Sequence, residues 1–145
     1  MMTTDANEPS TPHAPIQVEW VGGLQFDACR EGGPTIRLDG DSKTGPSPFD
    51  ALLAAIATCA ASDVVHIMEK QRTPLRAMSV RVESNRVSAI PRRLASAALH
   101  FSLQGAGITP EKAECAVELS VTRYCSVRSS LLTEVPVTWT IGVQN

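Results

Sequence analysis

The sequence lacks several patterns that would place the protein in a common functional class. It contains no glycine-rich phosphate-binding loop and no nucleophile elbow of the hydrolase type. Its formal net charge is only −2 over 145 residues, so neither nucleic acid nor an anionic membrane surface is an expected partner. No His/Cys pair stands at the helical i+3 or i+4 spacing of metal ligands, and we therefore expect no metal site and no cofactor.

Cysteine is also scarce. The four cysteines, none of them in a C-x-x-C pair, are too few for a disulfide scaffold. The chain opens with a polar, proline-rich segment rather than with the charged and then apolar segment of a secretory signal. These features lead us to expect a cytoplasmic protein, in which a cysteine is either packed as a small hydrophobe or kept for its chemistry.

Segments of alternating polarity predict a single domain of mixed structure. Residues 1–14 offer little to bury, so we expect a disordered tail there and one domain over residues 15–145. A second helix is predicted from Thr109 to about Tyr124. Strands are predicted over residues 16–21, 24–30, 35–38, 78–87, 94–103 and 135–143. The order β-β-β-α-β-β-α-β contains no repeated βαβ unit, which predicts an α+β fold.

The stretch from Ser47 to Arg72 is the longest predicted helix and the centre of the fold. Ser47, Pro48 and Asp50 match a capped helix start. Apolar residues cover every side over residues 51–61, which predicts burial all round. The uninterrupted apolar run is about 11 residues, whereas a membrane span needs about 20, so we predict a buried central helix.

Cys59 lies in the middle of this helix. It is about twelve residues from the start, beyond the reach of the N-terminal dipole, and Asp63 one turn later disfavours a thiolate. Cys59 is therefore either a packed residue or a reactive thiol that takes a cation from elsewhere in the fold. Arg37 is the leading candidate for that cation and Arg30 the second, with Asp63 as the group that orients the arginine.

Cys125 lies where the second helix gives way to a serine-rich turn. If a new helix starts there, its first backbone amides favour a thiolate at Cys125, and the alternative is a packed cysteine. Cys115 lies about 15 Å away along the helix, too far for a disulfide, which needs Cα atoms within about 7 Å. Cys29, on a strand, is expected to be passive.

Two segments of the chain resemble the OsmC/Ohr family, the osmotically inducible and organic hydroperoxide resistance proteins. They are GPSPFDALLAAIATC, continued by AASDVVHIMEKQR, and RYCSVRSSL near the C-terminus. The resemblance implies an OsmC-like α+β fold and an intertwined homodimer with sites at the subunit interface. It also implies that Cys59 attacks a hydroperoxide and that Cys125 resolves the sulfenic acid as a disulfide. A lipoyl-type or other dithiol would then restore both thiols.

Two positions depart from the peroxidase branch of that family. The branch has an arginine after the hairpin glycines and a glutamate after the proline, where this chain has Leu24 and Phe49. The carboxylate one place later, Asp50, lies about 13 Å along the helix from Cys59, which predicts a helix cap rather than a partner of the thiol. The SDVV run after Cys59 resembles the less characterised OsmC-like branch.

The sequence is therefore compatible with three alternative functions. The first interpretation is a cysteine-based hydroperoxide reductase that uses Cys59 and Cys125. The second is a non-catalytic dimer that binds an apolar small molecule or a partner, and the third is a redox sensor without efficient turnover. The separation of Cys59 and Cys125, and the presence of a cation beside Cys59, would distinguish the first from the second.

Overall fold

The computed structural model describes residues 6–9 and 11–145, which belong to two compact units, residues 1–51 and 52–145. The predicted tail, residues 1–14, falls partly on residues 1–5 and 10, which lie outside the described residues. The described residues of that segment contain turns and bends but neither helix nor strand.

The first unit contains a three-stranded antiparallel sheet. Its strands are β1 (Ile16–Gly22), β2 (Gln25–Arg30) and β3 (Thr35–Asp39), paired in the order β1-β2-β3. The predicted hairpin turn between β1 and β2 is confirmed. Gly22 and Gly23 form it with φ angles of 123° and 53°, values that glycine adopts without a side-chain clash. All three predicted strands are confirmed to within one residue at each end.

One face of this sheet is apolar and exposed. Val18, Ala28 and Ile36 are neighbours across the three strands and so share that face. Ile16, Val18 and Ile36 each keep 60% of their surface exposed, and Trp20 keeps 68%. Antiparallel sheets usually pack one face against apolar groups, so an apolar face with this exposure is unusual.

The loop after β3 is organised by the carboxylate of Asp39, which is buried. The carboxylate accepts hydrogen bonds from the N–H groups of Asp41, Lys43 and Thr44 and from the Thr44 hydroxyl. These donors, the Thr44 N–H first among them, lower the pKa of Asp39. The loop therefore holds its shape immediately before the long helix.

The long helix, α1, spans Pro48–Lys70. Its start is the predicted capping box: the Ser47 N–H donates to the Asp50 carboxylate at 2.9 Å, and the Asp50 N–H donates to the Ser47 hydroxyl at 3.1 Å. Asp50 is thus a cap, as its spacing from Cys59 predicts. By length and composition α1 could also cross a membrane, a property that the core helices of globular proteins share.

Only one side of α1 is buried within the single chain. The buried residues recur at helical spacing and are Ile56, Ala57, Ala60, Val64 and Met68. The other sides of the helix are half-buried or exposed. The prediction of burial all round over residues 51–61 is therefore wrong for the single chain, because the apolar residues outnumber the positions that one chain covers.

The second unit contains a three-stranded sheet of β4 (Ala77–Arg86), β5 (Leu94–Gln104) and β6 (Val137–Gln144). β4 and β5 form the predicted antiparallel hairpin, with Leu99, Phe101 and Leu103 buried on one face. β6 pairs with β5 in parallel, which the sequence did not predict. A parallel pair requires a long crossover, and the helical segment between β5 and β6 supplies it.

That crossover begins with α2 (Pro110–Leu119), whose predicted cap is confirmed, since the Thr109 hydroxyl accepts from the Lys112 N–H at 3.2 Å. The helix continues as a π-helical turn over Ser120–Tyr124, so its predicted end at about Tyr124 is correct. A short helix, α3 (Ser126–Ser129), follows directly, at the point after Cys125 where the sequence analysis considered a new helix start.

Candidate functional site

The π-helical turn determines where Cys125 lies. The Cys125 N–H donates to the Ser120 carbonyl at 2.8 Å and closes the turn, after which the backbone at Cys125 is extended. Single π-turns at the end of α-helices often occur at functional sites, because the wider turn redirects the side chains that follow it. Cys125 then caps α3, with its sulfur accepting from the Arg128 N–H at 3.3 Å.

The structure brings Cys59 of α1 against this turn. The Cys59 sulfur lies 3.7 Å from the Ser126 hydroxyl oxygen, and it also accepts from the Val127 N–H and interacts with the Cys125 thiol. Cys125 in turn donates to the Ile56 carbonyl of α1 at 3.9 Å. Both cysteines are free thiols. The two cysteines that the family resemblance singled out are therefore direct neighbours.

The surroundings of the two thiols act in opposite directions. The pKa of Cys59 is lowered, chiefly by the hydrogen bond from the Val127 N–H, with smaller contributions from Ser126 and from Cys125. The pKa of Cys125 is raised, chiefly by burial, which outweighs the hydrogen bond from the Arg128 N–H. The first proton to leave the pair is therefore that of Cys59.

These surroundings bear on two predictions. We expected a reactive Cys59 to take a cation from elsewhere in the fold; within the single chain the groups that lower its pKa are neutral N–H, O–H and S–H donors, and the cation stays a prediction. We also expected the first amides after Cys125 to favour a thiolate at Cys125 itself. The N–H groups of Arg128 and Val127 do lower the pKa of Cys125, but burial outweighs them and raises it. The N–H groups of Val127 and Ser126 also lower the pKa of Cys59.

The two arginines proposed as partners of Cys59 lie in the first unit. Arg37 on β3 forms an ion pair with Asp27 through Nε and Nη2, and its Nη1 donates to Gln25 at 3.1 Å. The hydrogen bond from Arg37 lowers the pKa of Asp27. Arg30 lies at the exposed end of β2. The role predicted for either arginine beside Cys59 stays a prediction.

Asp63 lies one helical turn after Cys59. Its Oδ2 atom is buried and has no hydrogen-bond partner among the described residues. A buried carboxylate oxygen without a donor costs free energy. The side chain lines a groove of about 740 Å³ together with His66, Ile67, Leu119 and Tyr124.

Ser126 and Val127 are functional candidates that the sequence analysis missed. The only signal for them was their position directly after Cys125 in the motif RYCSVRSSL. Their contact with Cys59 depends on the packing of α1 against the turn, which no local pattern encodes. Within residues 6–9 and 11–145, no group of three or more His, Cys, Asp or Glu side chains is arranged to hold a metal ion.

Comparison with known proteins identifies the family of the chain. The family model described as OsmC-like protein matches residues 39–140. Protein YhfA of Escherichia coli strain K12 is 36% identical over 123 residues, which cover 84% of this chain and 92% of YhfA.

Solved structures support the same assignment through the fold. The OsmC-like protein from Mycoplasma pneumoniae superposes with a TM-score of 0.79 at 14% identity, covering 94% of this chain and 100% of its own. An organic hydroperoxide resistance protein from Legionella pneumophila superposes with a TM-score of 0.68 at 18% identity, covering 93% and 100%. The predicted α+β fold is confirmed. Together, the motif around Cys59, the second motif around Cys125 and these matches show that the chain belongs to the OsmC-like family.

Proposed function

We propose that this protein reduces hydroperoxides, with Cys59 as the attacking thiolate, Cys125 as the resolving thiol and a dithiol as the electron donor. One observation carries the proposal: a thiol of lowered pKa is in contact with a buried thiol of raised pKa. The similarity to an organic hydroperoxide resistance protein supports the class of substrate.

The first step uses the thiolate of Cys59. Its sulfur attacks the terminal oxygen of the hydroperoxide, the O–O bond breaks, and the alkoxide leaves and is protonated to the alcohol. Cys59 is then a sulfenic acid. The Val127 N–H and the Ser126 hydroxyl favour this step because they lower the pKa of Cys59 and so increase the fraction of the reactive thiolate.

The second step uses Cys125. Its sulfur attacks the sulfenic sulfur of Cys59, the S–O bond breaks, and the departing hydroxide takes the Cys125 proton to leave as water. Because burial keeps Cys125 protonated until that moment, the site avoids two adjacent negative sulfurs before the hydroperoxide arrives. A dithiol then reduces the Cys59–Cys125 disulfide and returns both thiols.

The orphaned oxygen of Asp63 supports the predicted contribution of an arginine. A guanidinium bound there would satisfy the buried carboxylate oxygen and add positive charge one helical turn from Cys59. Arg37 remains the leading candidate for that arginine, and Arg30 the second. Supplied by a second subunit, either would make the site complete only in a dimer.

The exposed apolar surface of the single chain supports a second copy of the chain as its partner. The apolar face of β1–β3, which includes Val18 and Trp20, is exposed, and apolar sides of α1 are left uncovered by the single chain. Contiguous exposed apolar surface of this kind marks interaction sites. We expect sedimentation at micromolar concentration to give the mass of two chains. The change Trp20→Glu should shift the protein toward monomer, whereas Thr138→Glu on the polar outer face of β6 should not.

The experiment that tests the proposed reaction starts from fully reduced protein. One equivalent of an organic hydroperoxide is added, and the intact mass and the cysteine-containing peptides are then measured. We expect a rapid loss of about 2 Da, placed on Cys59 and Cys125, while Cys29 and Cys115 remain free. Four free thiols after prolonged exposure would contradict the proposal. A disulfide that forms but is never reduced by dithiols would favour the redox sensor.

A second candidate function is the non-catalytic binding of an apolar small molecule. The groove of about 740 Å³ beside Asp63 favours it, because Ile67, Leu119 and Tyr124 contribute apolar surface to its walls. A fluorescent apolar probe tests it. Binding that the change Leu119→Glu removes, in a protein whose four thiols survive hydroperoxide, would favour binding over reduction.

A further inference from the structure

A second cavity, of about 270 Å³, lies beside the π-helical turn. Its walls come from that turn, from α3, from the loop after α3 and from β6. Cys125 lines it, whereas Cys59 and Asp63 do not, so this cavity is distinct from the groove of about 740 Å³. A cavity of this volume suits a molecule of a few heavy atoms rather than a peptide or a folded domain.

Two arginines contribute positive charge to the cavity wall, Arg123 and Arg128. The Arg128 guanidinium donates to the carbonyls of Leu132 and Val135, at 3.4 and 2.6 Å. These carbonyls are neutral, so they fix the guanidinium in place without cancelling its charge. Arg123 lies over the ring of Tyr124, 5.8 Å from the ring centre, and an aromatic ring also carries no net charge.

No carboxylate balances this charge at the cavity wall. Among the described residues none of the lining side chains is an aspartate or a glutamate. The carboxylate of Glu114 is engaged elsewhere, since it accepts a hydrogen bond from the indole N–H of Trp139 at 3.2 Å. Neither arginine forms an ion pair within the part of the chain that the structure describes. The wall therefore favours an anion from solution.

The remaining wall determines which kind of anion fits. Leu131, Val137 and Trp139 contribute apolar surface, and Ser129 and Thr133 contribute hydroxyl groups, which donate hydrogen bonds to oxyanions. An inorganic ion would leave the apolar part of the wall in water, whereas a short hydrocarbon chain would cover it. A guanidinium fork also matches the two oxygens of a carboxylate.

We propose that this cavity binds a small organic carboxylate, with the carboxylate toward Arg123 and Arg128 and the hydrocarbon part against the apolar wall that includes Trp139. Binding requires no thiol chemistry, so the inference does not depend on the reaction of Cys59 with hydroperoxide. Because Cys125 lines the same cavity and is only 3% exposed, a bound carboxylate would cover its sulfur.

The first test uses tryptophan fluorescence. The chain has two tryptophans, so the full-length variant Trp20→Phe keeps Trp139 as the only one and retains an aromatic ring on β1. It is titrated with butyrate, acetate, neutral butyramide and cationic butylammonium. We expect a saturable change with butyrate and a dissociation constant of about 1 mM, the value for a ligand of this size. Acetate should bind about 10-fold more weakly, because it buries two fewer methylene groups.

The charge of the cavity is tested by substitution and by salt. Arg123→Gln should weaken butyrate binding about 5-fold, and 0.5 M sodium chloride should weaken it about 3-fold. Arg123 is the arginine to change, because its side chain is exposed and holds no backbone carbonyl, so the variant should fold. Arg76→Gln, at an exposed arginine outside the cavity, is the matched control and should leave the affinity unchanged.

Alkylation of Cys125 locates the bound carboxylate. At ten times its dissociation constant, butyrate should slow the reaction of Cys125 with iodoacetamide about 10-fold, because only about a tenth of the cavities remain empty. Cys115, an exposed cysteine that does not line the cavity, is the control on the same chain, and its rate should not change. Peptide mass spectrometry gives both rates.

Several results would overturn this inference. They are an unchanged Trp139 emission with butyrate, an equal response to butyramide, and an affinity that Arg123→Gln leaves as it was. Saturable binding that does not protect Cys125 would place the carboxylate at another site and would also contradict the inference. A failure of the protein to reduce hydroperoxide would contradict the proposed function alone, because none of these measurements uses hydroperoxide.

Discussion

Cys59 lies half-buried in the middle of a 23-residue helix, whereas Cys125 lies buried between a π-helical turn and a four-residue helix. The position of Cys59 along α1 offers it no help from the helix dipole. Its lowered pKa comes from donors on the turn that holds Cys125, and the raised pKa of Cys125 comes from burial. The comparison teaches that the reactivity of each thiol depends on what packs against it.

The largest effects are expected when Cys59 and Cys125 are each replaced by serine, because the two variants should lose different steps of the reaction. With a dithiol present, Cys59→Ser should reduce hydroperoxide consumption on the order of 100-fold or more, because the attacking thiolate is lost. Cys125→Ser should leave the first attack intact and allow a sulfenic acid to accumulate at Cys59, which a sulfenic-acid-specific reagent would label. Equal losses in both variants without any labelled sulfenic acid would contradict the separate roles.

Removing the Ser126 hydroxyl should reduce the difference in pKa between Cys59 and Cys125. Its hydrogen bond to the Cys59 sulfur, with a 3.7 Å separation, is worth on the order of 1 kcal/mol, so Ser126→Ala should slow alkylation of Cys59 at neutral pH about 5-fold. Ser126→Thr, which keeps a hydroxyl, should recover most of the rate. Ser129→Ala, at an exposed serine of the same short helix, is the control and should have no effect.

The smallest effect is expected at Asp63. If its orphaned oxygen holds an arginine, Asp63→Asn should raise the pKa of Cys59 and slow its reaction with hydroperoxide about 2-fold. Glu69→Gln, at an exposed position of α1, serves as the control. A Cys59 pKa that is unchanged, or that falls without a loss of rate, would exclude this role for Asp63.

Much of the fold could be predicted because its signals are local. The Ser47–Asp50 capping box and the Gly22–Gly23 hairpin turn each depend on residues within one short segment, and both occur as predicted. Burial of α1 on all sides could not be judged in this way. The sequence shows that a surface is apolar, but it does not show which chain covers that surface.

The sequence predicted the two cysteines of the candidate site, but it did not predict the hydrogen bonds that they accept. Family motifs pointed to Cys59 and Cys125, which the structure brings together. The donors from Ser126 and Val127 depend on where α1 meets the turn after the π-helix, and that contact joins segments far apart in the chain. For this reason the sequence analysis expected an arginine to stabilise the Cys59 thiolate, whereas within the single chain backbone N–H groups lower the pKa of Cys59.

The pH dependence of alkylation at each cysteine tests the central claim most directly. The protein is treated briefly with iodoacetamide over a range of pH values, and peptide mass spectrometry gives the rate at each site. A free cysteine peptide, whose thiol has a pKa of about 8.5, is the reference. A lowered pKa gives Cys59 a larger thiolate fraction than this reference at the same pH. We therefore predict that the Cys59 rate rises at lower pH than the rate of the reference peptide, and that the Cys125 rate rises at higher pH. A Cys59 midpoint at or above that of the reference peptide would contradict the account.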